Sequence, residues 1–133
     1  MLVVQKYGGT SVGTPERIRE VAKRAAEPHD AGHQVAVVVS AMSGETNRLL
    51  ALAKQVTDRP DERESDVLVS TGEQVTVALL AMTLKSMGYP SFSMLGHQIE
   101  IETDSAFGRA RIQRINAERI LSGLRQGNIV VVA

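Results

Sequence analysis

The order of apolar runs and helical stretches predicts an α/β fold, a largely parallel sheet with helices on both faces. Val35-Ala36-Val37-Val38-Val39 is an uninterrupted apolar run of the kind found in strands covered from both sides. Ile129 to Val132 is a second such run, and the stretches between the runs carry helical spacing and helix-end signals. At 133 residues the chain can bury one core, so one domain is expected, and 43% hydrophobic residues set it apart from disordered compositions.

Leu2 to Lys6 is a short β-branched run ending at Gly8-Gly9, which reads as a buried strand entering a loop. Thr14-Pro15-Glu16 is a helix start, with Thr14 as N-cap, Pro15 at the first helical position and Glu16 near the positive helix end. That helix should run to about Glu27, before Pro28, burying Ile18, Val21, Ala22 and Ala25. A turn over His29 to His33 leads into the strand Val35 to Val39, and Ser40 to Asn47 is its exit loop.

Leu49, Leu50, Leu52, Ala53 and Val56 suggest a helix, followed by a polar break over Asp58 to Glu64. A second helical stretch spans about Ser65 to Met87, interrupted or bent near Ser70-Thr71-Gly72. Pro90 to Leu95 reads as a strand, and Gly96 to Arg111 as loop with short strands around Ile99 to Thr103. Ile112 to Leu124 favours a helix stopped at Gly127. No repeat, low-complexity tract or linker divides the chain.

Fifteen basic side chains balance fifteen acidic ones, so no global field favours nucleic acid or an anionic membrane. No apolar run approaches the roughly 20 residues that cross a bilayer. Cysteine is absent, which excludes disulfides and Cys-based metal sites. The opening Met1-Leu2-Val3-Val4 lacks the pattern of a signal peptide, so the cytoplasm is the expected compartment. His29, His33 and His97 show no metal-ligand spacing and read as structural or solvent-exposed, and no metal site is expected. Met42, Met82, Met87 and Met94 read as gap-filling core residues.

Lys6-Tyr7-Gly8-Gly9-Thr10-Ser11 places a cation, two positions without side chains and two hydroxyls directly after a strand. Glycines let backbone N–H groups approach anionic oxygens, hydroxyls add donors, and a lysine can neutralise a transferring phosphoryl group. The competing reading is a tight turn beside a surface lysine. Gly8 and Gly13 match the first and sixth positions of a Walker A loop, but Thr14 stands where that loop needs lysine. The G-x-G-x-x-G spacing of dinucleotide folds is also absent. Ser40, Ser43 and Thr46 could donate to carboxylates or phosphates, or Ser43 or Thr46 could cap a helix. Glu73 follows Gly72 near an expected helix start, where it would favour the helix dipole. Asp104 and Arg109 could form a surface ion pair of little energetic weight.

Four segments together carry a resemblance. Val4 to Gly13 (VQKYGGTSVG) resembles the opening signature of aspartate kinases in the amino acid kinase superfamily, and Val37 to Asn47 (VVVSAMSGETN), Ser70 to Thr76 (STGEQVT) and Thr103 to Ile112 (TDSAFGRARI) agree with it in order. They cover nearly the whole chain. The resemblance implies an amino acid kinase, carbamate kinase-like fold, and transfer of the ATP γ-phosphoryl group to the side-chain carboxylate of L-aspartate, the first step towards lysine, threonine and methionine. It also implies ATP with Mg2+, a homo-oligomer in the full-length enzyme, and no nucleic acid or membrane partner.

By that resemblance Lys6 is catalytic. Lys6, Tyr7, Gly8, Gly9, Thr10, Ser11 and Ser40 bind ATP and its phosphates, while Ser40, Thr46 and Glu73 bind aspartate, Glu73 through the α-amino group. The segment holding Asp104 and Arg109 would help form the substrate pocket or subunit contacts. Residues 1–133 would be the amino-terminal portion of the kinase domain, with the rest of that domain and the regulatory ACT domains absent. The isolated chain is therefore expected to bind ligands weakly and turn over little. Acetylglutamate, glutamate, uridylate and carbamate kinases share the lysine and glycines after the first strand, and a kinase fused to homoserine dehydrogenase also fits. From another class, the chain could be a non-catalytic binding or assembly fragment.

Overall fold

The computed structural model describes residues 1–133. The elements run β1 (Leu2–Tyr7), α1 (Pro15–Asp30), β2 (Gln34–Val39), α2 (Glu45–Val56), α3 (Glu62–Ser86) and β3 (Ser91–Met94). After a 3-10 turn at Gly96–Ile99 come β4 (Ile101–Thr103), β5 (Ile112–Ile115), α4 (Glu118–Arg125) and β6 (Ile129–Val132). Four strands form a parallel sheet in the order β1-β2-β6-β3, and β4 and β5 form a separate antiparallel ribbon.

The expected two-sided cover of the sheet is present. Val35, Val37 and Val39 of β2 and Ile129 and Val131 of β6 pack with Ile18, Val21, Ala22 and Ala25 of α1 and Val77, Leu80, Ala81 and Leu84 of α3. On the other face Ala36, Val130 and Val132 meet Ile99 and Leu124, flanked by Phe92, Met94 and Ile120. Gly123 brings α4 close to the sheet, because a Cβ there would stand 2.4 Å from Phe92 Cζ.

β1 is not the buried strand expected of it. It pairs only with β2, at the sheet edge, and Leu2 and Val4 are 46% and 63% exposed. Its other row faces inward: Tyr7 packs on the main core, and the Gln5 side chain reaches α1.

Thr14 caps α1 as its sequence requires, its side chain accepting from the Arg17 N–H, with Pro15 following. The helix passes the expected stop at Glu27 and holds Pro28 in its last turn. Proline has no N–H to give the carbonyl of Arg24 four residues back. The Gln5 Nε2 donates to that carbonyl instead, at 3.2 Å.

α3 starts earlier than expected, at Glu62 behind an Asp61 cap, and runs unbroken for 25 residues through Ser70-Thr71-Gly72. The hydroxyls of Ser70, Thr71, Thr76 and Thr83 donate to the carbonyls of Val67, Leu68, Gly72 and Leu79 in the preceding turn, so polar groups that suggested a break are satisfied within the helix. By length and composition α3 is apolar enough to cross a membrane; its buried row, from Gly72 to Leu84, packs on the sheet and on α1 and α2.

The helix expected over Ile112 to Leu124 is a strand followed by a short helix. β5 pairs Ile115 with Ile101 and Arg114 with Glu102, and α4 begins where Asn116 Oδ1 accepts the Glu118 N–H. Ile112 and Ile115, three residues apart, satisfy a helical period, but four residues cannot distinguish it from a ribbon. Asp104 does not pair with Arg109: its carboxylate accepts the N–H groups of Ala106 and Arg111 and closes the loop between β4 and β5. Met82 and Met87 are 63% and 38% exposed, against the expected core role, whereas Met42 and Met94 do pack on the two cores.

These positions predict opposite responses to truncation. Leu80→Ala should cost about 2–5 kcal/mol through loss of buried methyl groups and the cavity left behind. Met82→Ala should stay within about 0.5 kcal/mol. Urea unfolding of the two variants checks the pair, and a large loss at Met82 would place it in a core.

Candidate functional site

The carboxyl ends of β1, β2 and β6 lie side by side, the position at which parallel sheets gather ligands. The loop after β1 makes two successive turns, with Ser11 N–H donating to Gly8 O at 3.0 Å and Val12 N–H to Gly9 O at 3.3 Å. Val12 is fully buried and anchors the loop from below, while Thr10 and Ser11 remain exposed. The Ser40 N–H donates to Tyr7 O at 3.2 Å, extending the β1–β2 ladder into the two exit loops.

The loop after β2 is locked against the first. Ser43 N–H donates to Gly9 O at 3.1 Å, and a Cβ on Gly9 would stand 2.8 Å from the Ala41 carbonyl oxygen. Gly13 is also close, though less so, its Cβ position lying 3.3 Å from Ser43 Cβ. The loop ends sooner than Asn47. Gly44, at φ 83°, precedes α2, which begins at Glu45 without a side-chain cap. Neither Ser43 nor Thr46 caps this helix: the cap position falls on Gly44, and Thr46 is already in the first turn, exposed. Glu45 is held below the usual carboxylate range by its hydrogen bonds to Arg48, at 2.6 and 2.9 Å, which also offset its charge at the helix start.

Lys6 shares the outward row of β1 with Leu2 and Val4, and its ammonium lies over Gly8, 3.8 Å from where a Cβ would be. The Tyr7 ring turns the other way, half-buried against the core, with its hydroxyl donating to Gln5 Oε1 at 3.2 Å. Burial pushes the phenol pKa up, the Arg24 charge partly opposing it, so Tyr7 stays neutral. What Tyr7 offers the loop is main chain, not its ring.

Glu73 sits inside α3 rather than near a helix start. Its Oε1 accepts the Ala41 N–H at 3.3 Å, which ties the carboxylate to the loop after β2. The neighbouring Gly72 is buried against that loop: a Cβ there would lie 2.9 Å from Ala41 Cβ and 3.3 Å from Glu45 Cγ. Glu73 also lines a cavity of about 310 Å³ with Ser70, Gln74, Leu95, Gly96, His97 and Ala133. The glycine loop, the loop after Ser40 and the Glu73 carboxylate thus meet at Ala41, while Lys6, Gly8, Gly9, Thr10, Ser11, Ser40 and Thr46 do not line the cavity beside Glu73.

Several lining residues were not apparent from the sequence. Ser70 and Gln74 flank Glu73 at helical spacing on α3, a signal obscured by the expected break there. Leu95, Gly96 and His97 come from the segment after β3, and their approach to α3 follows from tertiary packing alone. The loop between β4 and β5 reaches the same helix, with Gly108 N–H donating to Asp66 Oδ2 at 2.8 Å.

Chemically, a lysine over a glycine, exposed hydroxyls and close backbone suit an anion such as a phosphate. A carboxylate steadied by a backbone N–H and facing a cavity suits an ammonium.

The whole chain is similar to known proteins. The sequence profile described as the amino acid kinase family matches residues 1–133. An aspartate kinase of Stutzerimonas stutzeri is 58% identical over 132 residues, covering 99% of this chain and 32% of that protein. An aspartokinase of Thermus thermophilus is 55% identical, covering 99% and 33%. The chain spans about a third of the length of these relatives. Among solved structures, the aspartate kinase from Synechocystis superimposes with a TM-score of 0.83 at 42% identity, over all of this chain and 22% of that one. The fold is also that of E. coli aspartokinase III, solved with aspartate and ADP, at a TM-score of 0.83 and 22% identity, covering 99% of this chain and 40% of that one.

The contact at Gly72 yields a test of the interlock. Alanine in a helix interior ordinarily gains about 1 kcal/mol over glycine, while overpacking costs about 1–3 kcal/mol. Gly72→Ala should therefore be neutral to destabilised in urea unfolding. A gain of about 1 kcal/mol would show that the loop at Ala41 yields freely.

Proposed function

The chain belongs to the amino acid kinase family, and on that premise we propose that it carries the phosphate-binding and amino-acid-binding elements of an aspartate kinase. The reaction is transfer of the ATP γ-phosphoryl group to the side-chain carboxylate of L-aspartate, at the head of the route to lysine, threonine and methionine. The observation that carries the reading is the joint at Ala41. It holds the glycine loop after β1 on one side and the Glu73 carboxylate on the other. Relatives named as aspartate kinases, 55–58% identical over nearly the whole chain, support the choice of amino acid.

The chemistry needs little from the protein beyond placement. An aspartate side chain, with a reference pKa of about 3.9, is ionised at neutral pH and is its own nucleophile. A carboxylate oxygen forms the new bond to the γ-phosphorus as the bond to the bridging oxygen of ADP breaks, giving aspartyl phosphate and ADP. Negative charge shifts towards the leaving oxygen, so catalysis rests on alignment and charge neutralisation. Lys6 neutralises the transferring group. Gly8, Gly9, Thr10 and Ser11 cradle the phosphates, Ser40 and Thr46 add hydroxyl donors, and Glu73 takes the substrate ammonium through a charge-assisted hydrogen bond. The loop fits such a nucleotide because no Cβ stands between the Gly8 backbone and the Lys6 ammonium. Magnesium accompanying the nucleotide would supply further charge neutralisation.

ATP-dependent aspartyl hydroxamate formation tests the reading, with glutamate as substrate control and a version extended to the length of the relatives as activity control. Activity of the extended chain with aspartate alone is the expected result; its indifference to aspartate would remove the substrate assignment. Aspartate-dependent stabilisation without turnover by either chain would favour a binding or assembly role. In the active form, Lys6→Ala should lower kcat by about 10²–10³-fold. Glu73→Gln should raise the KM for aspartate by roughly tenfold or more, as loss of one charged partner implies.

A further inference from the structure

Arg17 enters none of the roles assigned so far. It lies in the first turn of α1, with its N–H on the Thr14 cap at 3.2 Å, and its guanidinium Nη1 donates back to the carbonyl of Thr10 in the glycine loop. Ser11, Glu20, Val21 and Arg24 line the shallow depression beside it. Glu20 is engaged by Lys23 at 2.7 Å, and no carboxylate forms an ion pair with Arg17.

We propose that Arg17 is a positioning residue for the phosphate loop, fixing the Thr10–Ser11 peptide so that the two hydroxyls are presented to a nucleotide phosphate. That peptide is held at both edges. Its carbonyl is taken by Arg17, and its N–H, that of Ser11, goes to Gly8 O at 3.0 Å. A peptide is planar, so two ties at opposite edges set its orientation and, with it, the directions in which the side chains of Thr10 and Ser11 leave the chain. The guanidinium also draws on a carbonyl dipole that would otherwise repel an approaching phosphate. Arg17 needs no contact with the nucleotide to do this; it binds the loop from the α1 side.

The proposal rests on the phosphate-binding reading of the loop, and two measurements on the 133-residue chain separate them. Amide hydrogen exchange at Ser11 and Val12, compared with Val37 and Val131 in the sheet, reports the hold on the loop without any ligand. ADP titration by calorimetry reports its use. Arg17→Gln should speed exchange at Ser11 and Val12 by about fivefold or more while Val37 and Val131 keep their rates, and should weaken ADP binding by about fivefold, the scale of one lost hydrogen bond. Arg17→Lys, which keeps one cationic donor, should recover part of both.

Unchanged loop exchange, or an equal rise at loop and sheet, overturns the proposal, since the second pattern marks a residue that merely stabilises the fold. Looser loop amides with unaltered ADP affinity overturn it too. If the unsubstituted chain binds no ADP, the phosphate reading fails for this chain, and Arg17's part in nucleotide binding goes with it.

Discussion

Ala41 is where three segments of the chain come within van der Waals contact. The backbone of the loop after β2 passes so close to Gly9 that a Cβ would stand 2.8 Å from its carbonyl oxygen, and so close to Gly72 that a Cβ would stand 2.9 Å from the alanine methyl. Ala41 is itself buried, and its N–H is bonded to Glu73. Side chains at these glycines would push apart the exits of β1 and β2 and the middle of α3. The glycine loop and the Glu73 carboxylate both abut Ala41 because the backbone there is bare.

That constraint sets what each supporting element must do. The sheet supplies parallel strand ends, and the buried rows of α1 and α3 hold it from one side. Val12 pulls the glycine loop down onto the core, so the loop is exposed at Thr10 and Ser11 but anchored one residue later. Rigid strands and a long helix thus carry Lys6 and Glu73 and fix the short polar loops between them, a division of labour suited to positioning.

Features specified by neighbours in the chain were legible in advance. The Thr14-Pro15 start of α1, its buried row, the apolar runs of β2 and β6 and the loop at Lys6 to Ser11 all follow from local chemistry. Features that need a partner were not. The hydroxyl cluster at Ser70 and Thr71 reads as a break until those hydroxyls are seen on carbonyls of their own helix. β5 is a strand because β4 lies beside it, and four residues hold too little periodicity to show this. β1 looked buried because apolar composition does not reveal which strand lies at the edge. Glu73 lies within α3 and not near a helix start, and His97 is exposed, as its sequence suggests, at the rim of the same cavity. Their shared cavity is made by packing β3's exit against α3.

The bond from Gln5 to the carbonyl that Pro28 leaves open has a meaning beyond helix repair. Side chains alternate along a strand, so sliding β1 by one position against β2 would exchange its two rows. Lys6 would then be directed into the apolar interior, and the groups now inside would be thrown outward. In the present alignment Gln5 meets the acceptor that Pro28 leaves open on α1. A proline flaw in the helix thereby becomes a keyway: it favours the register of β1 that leaves the lysine charge in the open.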